Sequence, residues 1–172
     1  KVIFLGDFID RDYDSFDKVL PIYQSLKMPA YHALGNHDFD VADKWKAKVP
    51  ERMGMKSKYY EFRVQDWRFI VLDGNDVSFH AYPKDSLEYQ KAGVYYRENK
   101  IRLPKWNGAV GKEQMSWLKE ILIRSETKNE KVVLFCHFPV FPADPHNLWN
   151  ATEVIELIEG FPSVKAYING HN

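Results

Sequence analysis

The sequence predicts an α/β domain in which buried strands alternate with helices. Four short apolar runs are rich in β-branched and aromatic residues and have the length of buried strands: Lys1–Leu5, Ala30–Leu34, Lys131–Phe135 and Val164–Ile168. Segments with the helical spacing of apolar residues lie between these runs. The chain has 172 residues, enough for one domain with a core but short for two. We therefore predict a single domain over residues 1–172.

The first part of the chain predicts a strand–helix–strand unit. Asp14–Lys27 carries apolar residues at helical spacing, and Pro29 follows before the second strand begins. A crossover of this kind predicts that the two flanking strands are parallel. After the second strand, Val41–Val49 predicts a short helix that ends at Pro50.

The remaining segments predict a hairpin, an irregular insertion and two helices. Lys58–Val64 and Trp67–Leu72 are strand-like and flank a polar turn. Residues 73–110 lose any periodicity and combine glycine, proline and charge with many aromatic residues. We expect an irregular, aromatic-rich insertion there that forms an ordered lid or a substrate wall, with surface packing as the alternative. Lys112–Arg124 and Asn150–Glu159 predict helices, the second with Asn150 as its N-cap.

Composition excludes several classes of partner. Lysine plus arginine and aspartate plus glutamate balance at 24 each, so no basic excess points to nucleic acid. No apolar stretch approaches the ~20 residues that span a bilayer, so we expect no membrane partner. Cys136, the single cysteine, excludes a disulfide framework within the chain and leaves the compartment open, with the cytoplasm slightly favoured. The oligomeric state is not determined by these features.

A short polar cluster follows each of the four main predicted strands. The clusters contain Asp7, the run Asn36-His37-Asp38, His137 and His171. In open α/β sheets, functional groups collect beyond the carboxyl ends of the strands. Carboxylate and amide oxygens together with imidazole nitrogens are ligands for divalent metal ions. If the strands lie side by side, these residues form a metal site.

Each cluster also has an ordinary structural explanation when it is taken alone. Asp7 is typical of a residue that caps a helix after a strand, and Gly35-Asn36 is typical of a turn. A single histidine such as His137 at the end of an apolar strand is more often a hydrogen-bonded core residue than a ligand. The recurrence of such clusters at four strand ends favours the metal site.

The order of the motifs identifies a family resemblance over essentially the whole chain. Gly-Asp-x-x-Asp, Gly-Asn-His-Asp, His-x-Pro and Gly-His follow one another as in the calcineurin-like metallophosphoesterases. The resemblance implies a four-layer αββα sandwich with two divalent ions at the strand ends, Mn or alternatively Fe, Zn or Co. It implies that Asp7 bridges both ions, and that Asn36, His137 and His171 complete the shell of one.

The resemblance also implies catalytic and substrate-binding roles. His37 would protonate the leaving group or stabilise the transition state, and Asp38 would orient the ring of His37. The stretch Trp106–Gly111 resembles the Mn-dependent ADP-ribose/CDP-alcohol diphosphatases, which implies a small nucleotide-like phosphate substrate. Arg11, Asn107 and Gly108 are the candidate substrate contacts.

The chain departs from the family pattern at two points, both of which concern the second metal ion. The family has an Asp-x-His motif upstream of Gly-Asp, and a second histidine that would follow Asn172. We therefore expect a fragment that lacks the first strand and a C-terminal part, holds at most one metal ion well and has little activity. A phosphomonoesterase or protein phosphatase, a cyclic-nucleotide phosphodiesterase and a non-catalytic binding domain of the same fold remain alternatives.

Overall fold

The computed structural model describes residues 1–171, and Asn172 lies outside them. The strands are β1 (Val2–Phe4), β2 (Ala30–His32), β3 (Tyr60–Val64), β4 (Trp67–Val71), β5 (Val77–Ser78), β6 (Gly108–Ala109), β7 (Lys131–Cys136) and β8 (Val164–Asn169). The helices are α1 (Ser15–Gln24), α2 (Asp43–Lys46), α3 (Val49–Arg52), α4 (Leu87–Glu98), α5 (Lys112–Thr127) and α6 (Ala151–Glu159), and a 3₁₀ turn covers His37–Phe39. No helix in this range has the length and hydropathy needed to cross a bilayer.

Two sheets carry the polar clusters. β1 and β2 form a parallel pair, which confirms the predicted crossover through α1. The larger sheet has the order β3-β4-β7-β8. In it β3 and β4 form the predicted antiparallel hairpin, whereas β4, β7 and β8 are parallel. The carboxyl ends of β7 and β8 therefore lie at one edge of this sheet, as those of β1 and β2 do in the smaller sheet.

Three apolar clusters arrange these elements in layers. Phe16 and Leu20 of α1 pack beside the smaller sheet with residues such as Leu34. Ala33, Val71, Val133 and Phe135 fill the space between the two sheets. On the far face of the larger sheet, residues of α5 and α6 pack against β4 and β7. The order helix, sheet, sheet, helix confirms the predicted four-layer αββα architecture.

The insertion 73–110 is more regular than the sequence predicts. It contains the twelve-residue helix α4 and the strands β5 and β6, which pair with each other. The side chain of Ser86 caps α4 by accepting a hydrogen bond from the backbone N–H of Tyr89. Only Ala92 of α4 is fully buried. Because the helix buries so little apolar surface, its sequence lacks the periodicity that would reveal it.

Two smaller expectations are also corrected. The predicted helix Val41–Val49 is replaced by α2 and α3, and Pro50 lies within α3 instead of ending a helix. A proline is tolerated there because N–H groups in a first helical turn have no intrahelical acceptor. The side chain of Asn150 does not cap α6 but exchanges hydrogen bonds with the backbone of Val110.

Candidate metal centre

Glycines allow the turns after β1 and β2 to approach each other closely. Gly6 has a φ of +96°, and a Cβ there would lie 2.5 Å from Nδ1 of His137. A Cβ on Gly35 would overlap the carboxylate of Asp7. Asp7 itself has a φ of +56°, which is uncommon for a residue other than glycine. The backbone is therefore shaped to bring the Asp7 carboxylate against the second turn.

Asp38 joins these two turns. Its carboxylate is fully buried and accepts four backbone N–H hydrogen bonds at 2.6–3.2 Å. The donors are Asp7, Phe8, Ile9 and Gly35. Burial raises the pKa of Asp38 to about 6, although the N–H donors act in the opposite direction. Asp38 was predicted to orient the ring of His37, but the structure directs its carboxylate to these backbone donors and gives Nδ1 of His37 a different partner, Asp10.

Four ligand-type atoms converge where the two sheets meet. Nε2 of His137 lies 3.1 Å from Oδ1 of Asn36 and 3.3 Å from Oδ2 of Asp7. The same nitrogen lies 2.8 Å from Nδ1 of His171. Asp7 and Asn36 follow the strands of the smaller sheet, whereas His137 and His171 follow those of the larger one. The structure thus brings together all four residues predicted to ligate one metal ion.

The hydrogen bond of Nδ1 leaves Nε2 of His137 directed at the other ligand-type atoms. Nδ1 of His137 lies 2.6 Å from the carbonyl oxygen of Leu5, which can only accept, so Nδ1 carries the hydrogen. Nε2 of the same ring then faces the oxygens of Asp7 and Asn36 and Nδ1 of His171. A cation bound among these atoms would be coordinated by all four.

The electrostatic surroundings of Asp7 and His171 favour the protonation states that bind metal ions. Burial acts to raise the pKa of Asp7, but hydrogen bonding and charge from His137 and His37 outweigh it, so the pKa is lowered. Burial lowers the pKa of His171 to about 4, so its ring is neutral at pH 7. Its Nε2 is buried without a hydrogen-bond partner among the described residues. A carboxylate and neutral imidazoles are the forms that bind metal ions.

His37 lies beside this set, and Asp10 orients it. Nδ1 of His37 is 2.7 Å from Oδ1 of Asp10, and its backbone N–H donates to Oδ1 of Asp7 at 3.0 Å. The hydrogen bond that His37 donates to Asp10 is the main reason that the pKa of His37 is raised. Asp10 is the last residue of the motif Gly-Asp-x-x-Asp. Asp38 was predicted to orient the ring instead, because it is adjacent to His37 in the sequence.

Comparison with known proteins assigns the family. The model of the calcineurin-like phosphoesterase family matches residues 1–172. The chain belongs to this family. A human protein named manganese-dependent ADP-ribose/CDP-alcohol diphosphatase is 29% identical over 210 residues, covering 99% of this chain and 61% of the relative. An Arabidopsis thaliana protein of the same name is 28% identical over 200 residues, covering 99% of this chain and 64% of the relative.

A solved structure is similar along nearly the whole fold. The crystal structure of a dimetal phosphatase from Danio rerio superposes with a TM-score of 0.84 at 25% identity, covering 98% of this chain and 65% of that one. The phosphoesterase chain therefore spans slightly less than two thirds of the length of the proteins it matches.

The structure buries Asn107 and Gly108, two of the three predicted substrate contacts. Asn107 is completely buried, and its Nδ2 donates to the carbonyl oxygens of Pro145 and Asn147 at 2.6 and 2.9 Å. Gly108 is buried in β6, and its carbonyl oxygen accepts the backbone N–H of Trp149 at 2.8 Å. Both residues hold the loop that follows His137, and neither is accessible to a substrate.

Arg11 remains a predicted phosphate contact. Its side chain is 72% exposed, and its Nε lies 3.3 Å from Oδ1 of Asp10 and 3.6 Å from Oδ2 of Asp40. It is therefore near the residue that orients His37 and is free to reach a ligand.

A buried pair that sequence inspection missed supports the second turn. Nδ2 of Asn75 donates to the carbonyl oxygen of Leu34 at 2.8 Å, directly before Gly35. Oδ1 of Asn75 lies 2.6 Å from Nε2 of His80, and burial lowers the pKa of His80 to about 3. The sequence position of Asn75 could have identified it, because Asn75 follows the carboxyl end of β4 in the same way that the candidate ligands follow the other strands.

Proposed function

We propose that the chain forms the metal-binding core of a divalent-cation-dependent hydrolase that cleaves a phosphodiester or phosphoanhydride bond. The convergence of Asp7, Asn36, His137 and His171 beside His37 carries this proposal. The names of the relatives support Mn²⁺ as the cation, two ions in the intact protein, and ADP-ribose or a CDP-alcohol as the kind of substrate.

Some of these side chains would bind the cation, and His37 would transfer a proton. Bound between the four ligands, the cation would neutralise the charge that develops on the phosphate oxygens. Asp10 accepts the Nδ1 hydrogen of His37 and stabilises the protonated ring. The other ring nitrogen of His37 can then donate its proton to the leaving oxygen. Arg11 would contact a non-bridging phosphate oxygen, and part of the insertion 73–110 would form a wall of the substrate site.

Metal binding and catalysis can be tested by separate variants. We expect the chain to bind one Mn²⁺ tightly, since the described ligands form one set, and His137→Gln to lose that ion in an electron paramagnetic resonance titration. His37→Gln should keep Mn²⁺ and lower any hydrolysis roughly 100-fold, the usual contribution of a general acid. Tight binding of two ions per chain would contradict the single set of ligands, and unchanged Mn²⁺ affinity in His137→Gln would reject the site.

A substrate panel tests the reaction class. With Mn²⁺, we expect ADP-ribose and CDP-choline to be hydrolysed in preference to cyclic AMP and p-nitrophenyl phosphate. Preference for p-nitrophenyl phosphate would indicate a phosphomonoesterase, and preference for cyclic AMP a cyclic-nucleotide phosphodiesterase. Mn²⁺ binding by the full-length protein without hydrolysis of any of the four would favour a binding domain.

A further inference from the structure

A cavity lies on the insertion 73–110, and none of the metal-centre residues lines it. Its volume is about 580 Å³, within the usual range for ligand pockets. It lies along one side of α4, whose Gln90, Gly93, Val94 and Arg97 follow one another at helical spacing. The other lining residues are Phe79, Lys84, Tyr89, Tyr96 and Lys105.

Three aromatic rings form a rigid surface in this cavity. The ring centroid of Phe79 lies 5.2 Å from that of Tyr89 and 5.7 Å from that of Tyr96. Trp149 contacts Phe79 and Tyr96 from the protein side at 5.6 and 5.1 Å. The hydroxyl of Tyr96 donates to the carbonyl oxygen of Leu103 at 2.6 Å. The rings are thus held in place before any ligand arrives.

Three cations surround these rings, and no carboxylate is among the lining residues. Within residues 1–171, no acidic group lies within ion-pair distance of the side chains of Lys84, Arg97 or Lys105. The carboxylate of Asp43 contacts Lys84 through the backbone N–H of that residue and pairs with the ammonium of Lys46. Nζ of Lys105 lies 5.3 Å from the ring centroid of Phe79. The positive charge is therefore concentrated next to aromatic surface.

We propose that this cavity binds a nucleoside phosphate without the help of the metal centre. Aromatic side chains stack on the faces of bases, and arginine and lysine bind phosphate oxygens. The base would pack against this cluster of aromatic rings, and the phosphate would bind the side chains of Lys84, Arg97 and Lys105, the last of which now lies over Phe79 and Tyr96. The absence of lining carboxylates favours an anionic ligand over a neutral or cationic one. Hydrolysis at the metal centre is not required, because no residue of that centre lines the cavity.

Calorimetric titration of the full chain with AMP in EDTA tests the proposal. We expect AMP to bind at least tenfold more tightly than adenosine or inorganic phosphate, since each lacks one half of the contacts. Arg97→Glu and Lys105→Glu should each weaken AMP binding about tenfold, because a favourable charge contact becomes a repulsive one. Lys91→Glu introduces the same charge change on α4 outside this cavity and should leave binding unchanged.

Three results would overturn the proposal. Equal affinities for AMP and inorganic phosphate would show that the rings do not contribute to binding. Equal affinities for AMP and adenosine would show that the cations do not contribute. Loss of AMP binding in His137→Gln in the presence of EDTA would place the ligand at the metal centre. If a reversed charge unfolds the chain by circular dichroism, Arg97→Gln and Lys105→Gln provide the same comparison with a smaller expected loss. A failure of hydrolysis alone would leave the binding result intact.

Discussion

Substitution of His32 should remove a defined part of the pH dependence of stability. His32 is only 4% exposed and lies among aromatic rings. The ring of Phe4 is stacked on it at 5.4 Å, that of Phe8 contacts it edge-on at 5.5 Å, and the hydroxyl of Tyr23 bonds its Nε2. Burial lowers the pKa of His32 to about 4, because the charged ring would have to leave water.

The direction of the effect follows from this lowered pKa. Below pH 6.5 the unfolded chain takes up a proton on His32, whereas the folded chain does so only near pH 4. Stability is therefore lost as the pH falls through this window. With values of 6.5 and about 4, the loss between pH 7.5 and pH 5 is about 2 kcal/mol from this residue.

Urea unfolding followed by circular dichroism at pH 7.5, 6 and 5, with EDTA present, measures this loss. His80 and His171 also have lowered pKa values, but they contribute equally to wild type and variant. We expect His32→Phe to lose about 2 kcal/mol less than wild type on going to pH 5. Tyr23→Phe keeps the buried ring of His32 and should retain the wild-type slope. An unchanged slope in His32→Phe would refute the reasoning.

Three further predictions concern the metal centre and the core. Gly35→Ala should weaken Mn²⁺ binding at least tenfold in a paramagnetic resonance titration, because its Cβ would overlap the ligating carboxylate; wild-type affinity would show that the turn can relax. Asp10→Asn should lower the pKa of His37 in an NMR titration while changing the free energy of unfolding by less than about 1 kcal/mol, because the pair is partly exposed. Leu118→Ala should lower the free energy of unfolding by about 3 kcal/mol in urea, whereas Ile123→Ala on the exposed face of α5 should stay within about 0.5 kcal/mol.

The main strands and the convergence of the four candidate ligands were predictable because each depends on a local pattern. Buried parallel strands such as β7 are continuous apolar runs, and a polar residue that follows one is conspicuous. His137 and His171 could therefore be placed from their position after a strand. By contrast, α4 buries only Ala92 fully, so its sequence contains no strong period.

The contacts around the ligands were harder to predict because they depend on how the turns fold. Asp38 is adjacent to His37 in sequence, yet its carboxylate points to the backbone of another turn. Asp10 is distant in sequence and reaches the ring. Asn107 lies in a stretch that resembles a functional motif, but its burial became apparent only in the folded chain. The position of a polar residue in the sequence can show that it lies near the site, but it does not show which atom its side chain contacts.

The imidazole of His137 also connects the two sheets, which are otherwise joined by side-chain packing and by the hydrogen bonds of Tyr60 in β3 with the backbone of His32 in β2. Its Nδ1 is bonded to the carbonyl oxygen of Leu5 behind β1, while its Nε2 faces ligands from both sheets. A cation held there would therefore link the two sheets. By mass action, each tenfold increase of the cation concentration above its Kd adds about 1.4 kcal/mol to the stability of the metal-bound state. Removal of the cation by a chelator should therefore destabilise the β1–β2 pair before the larger sheet. Backbone amide hydrogen exchange should accelerate first in β1 and β2.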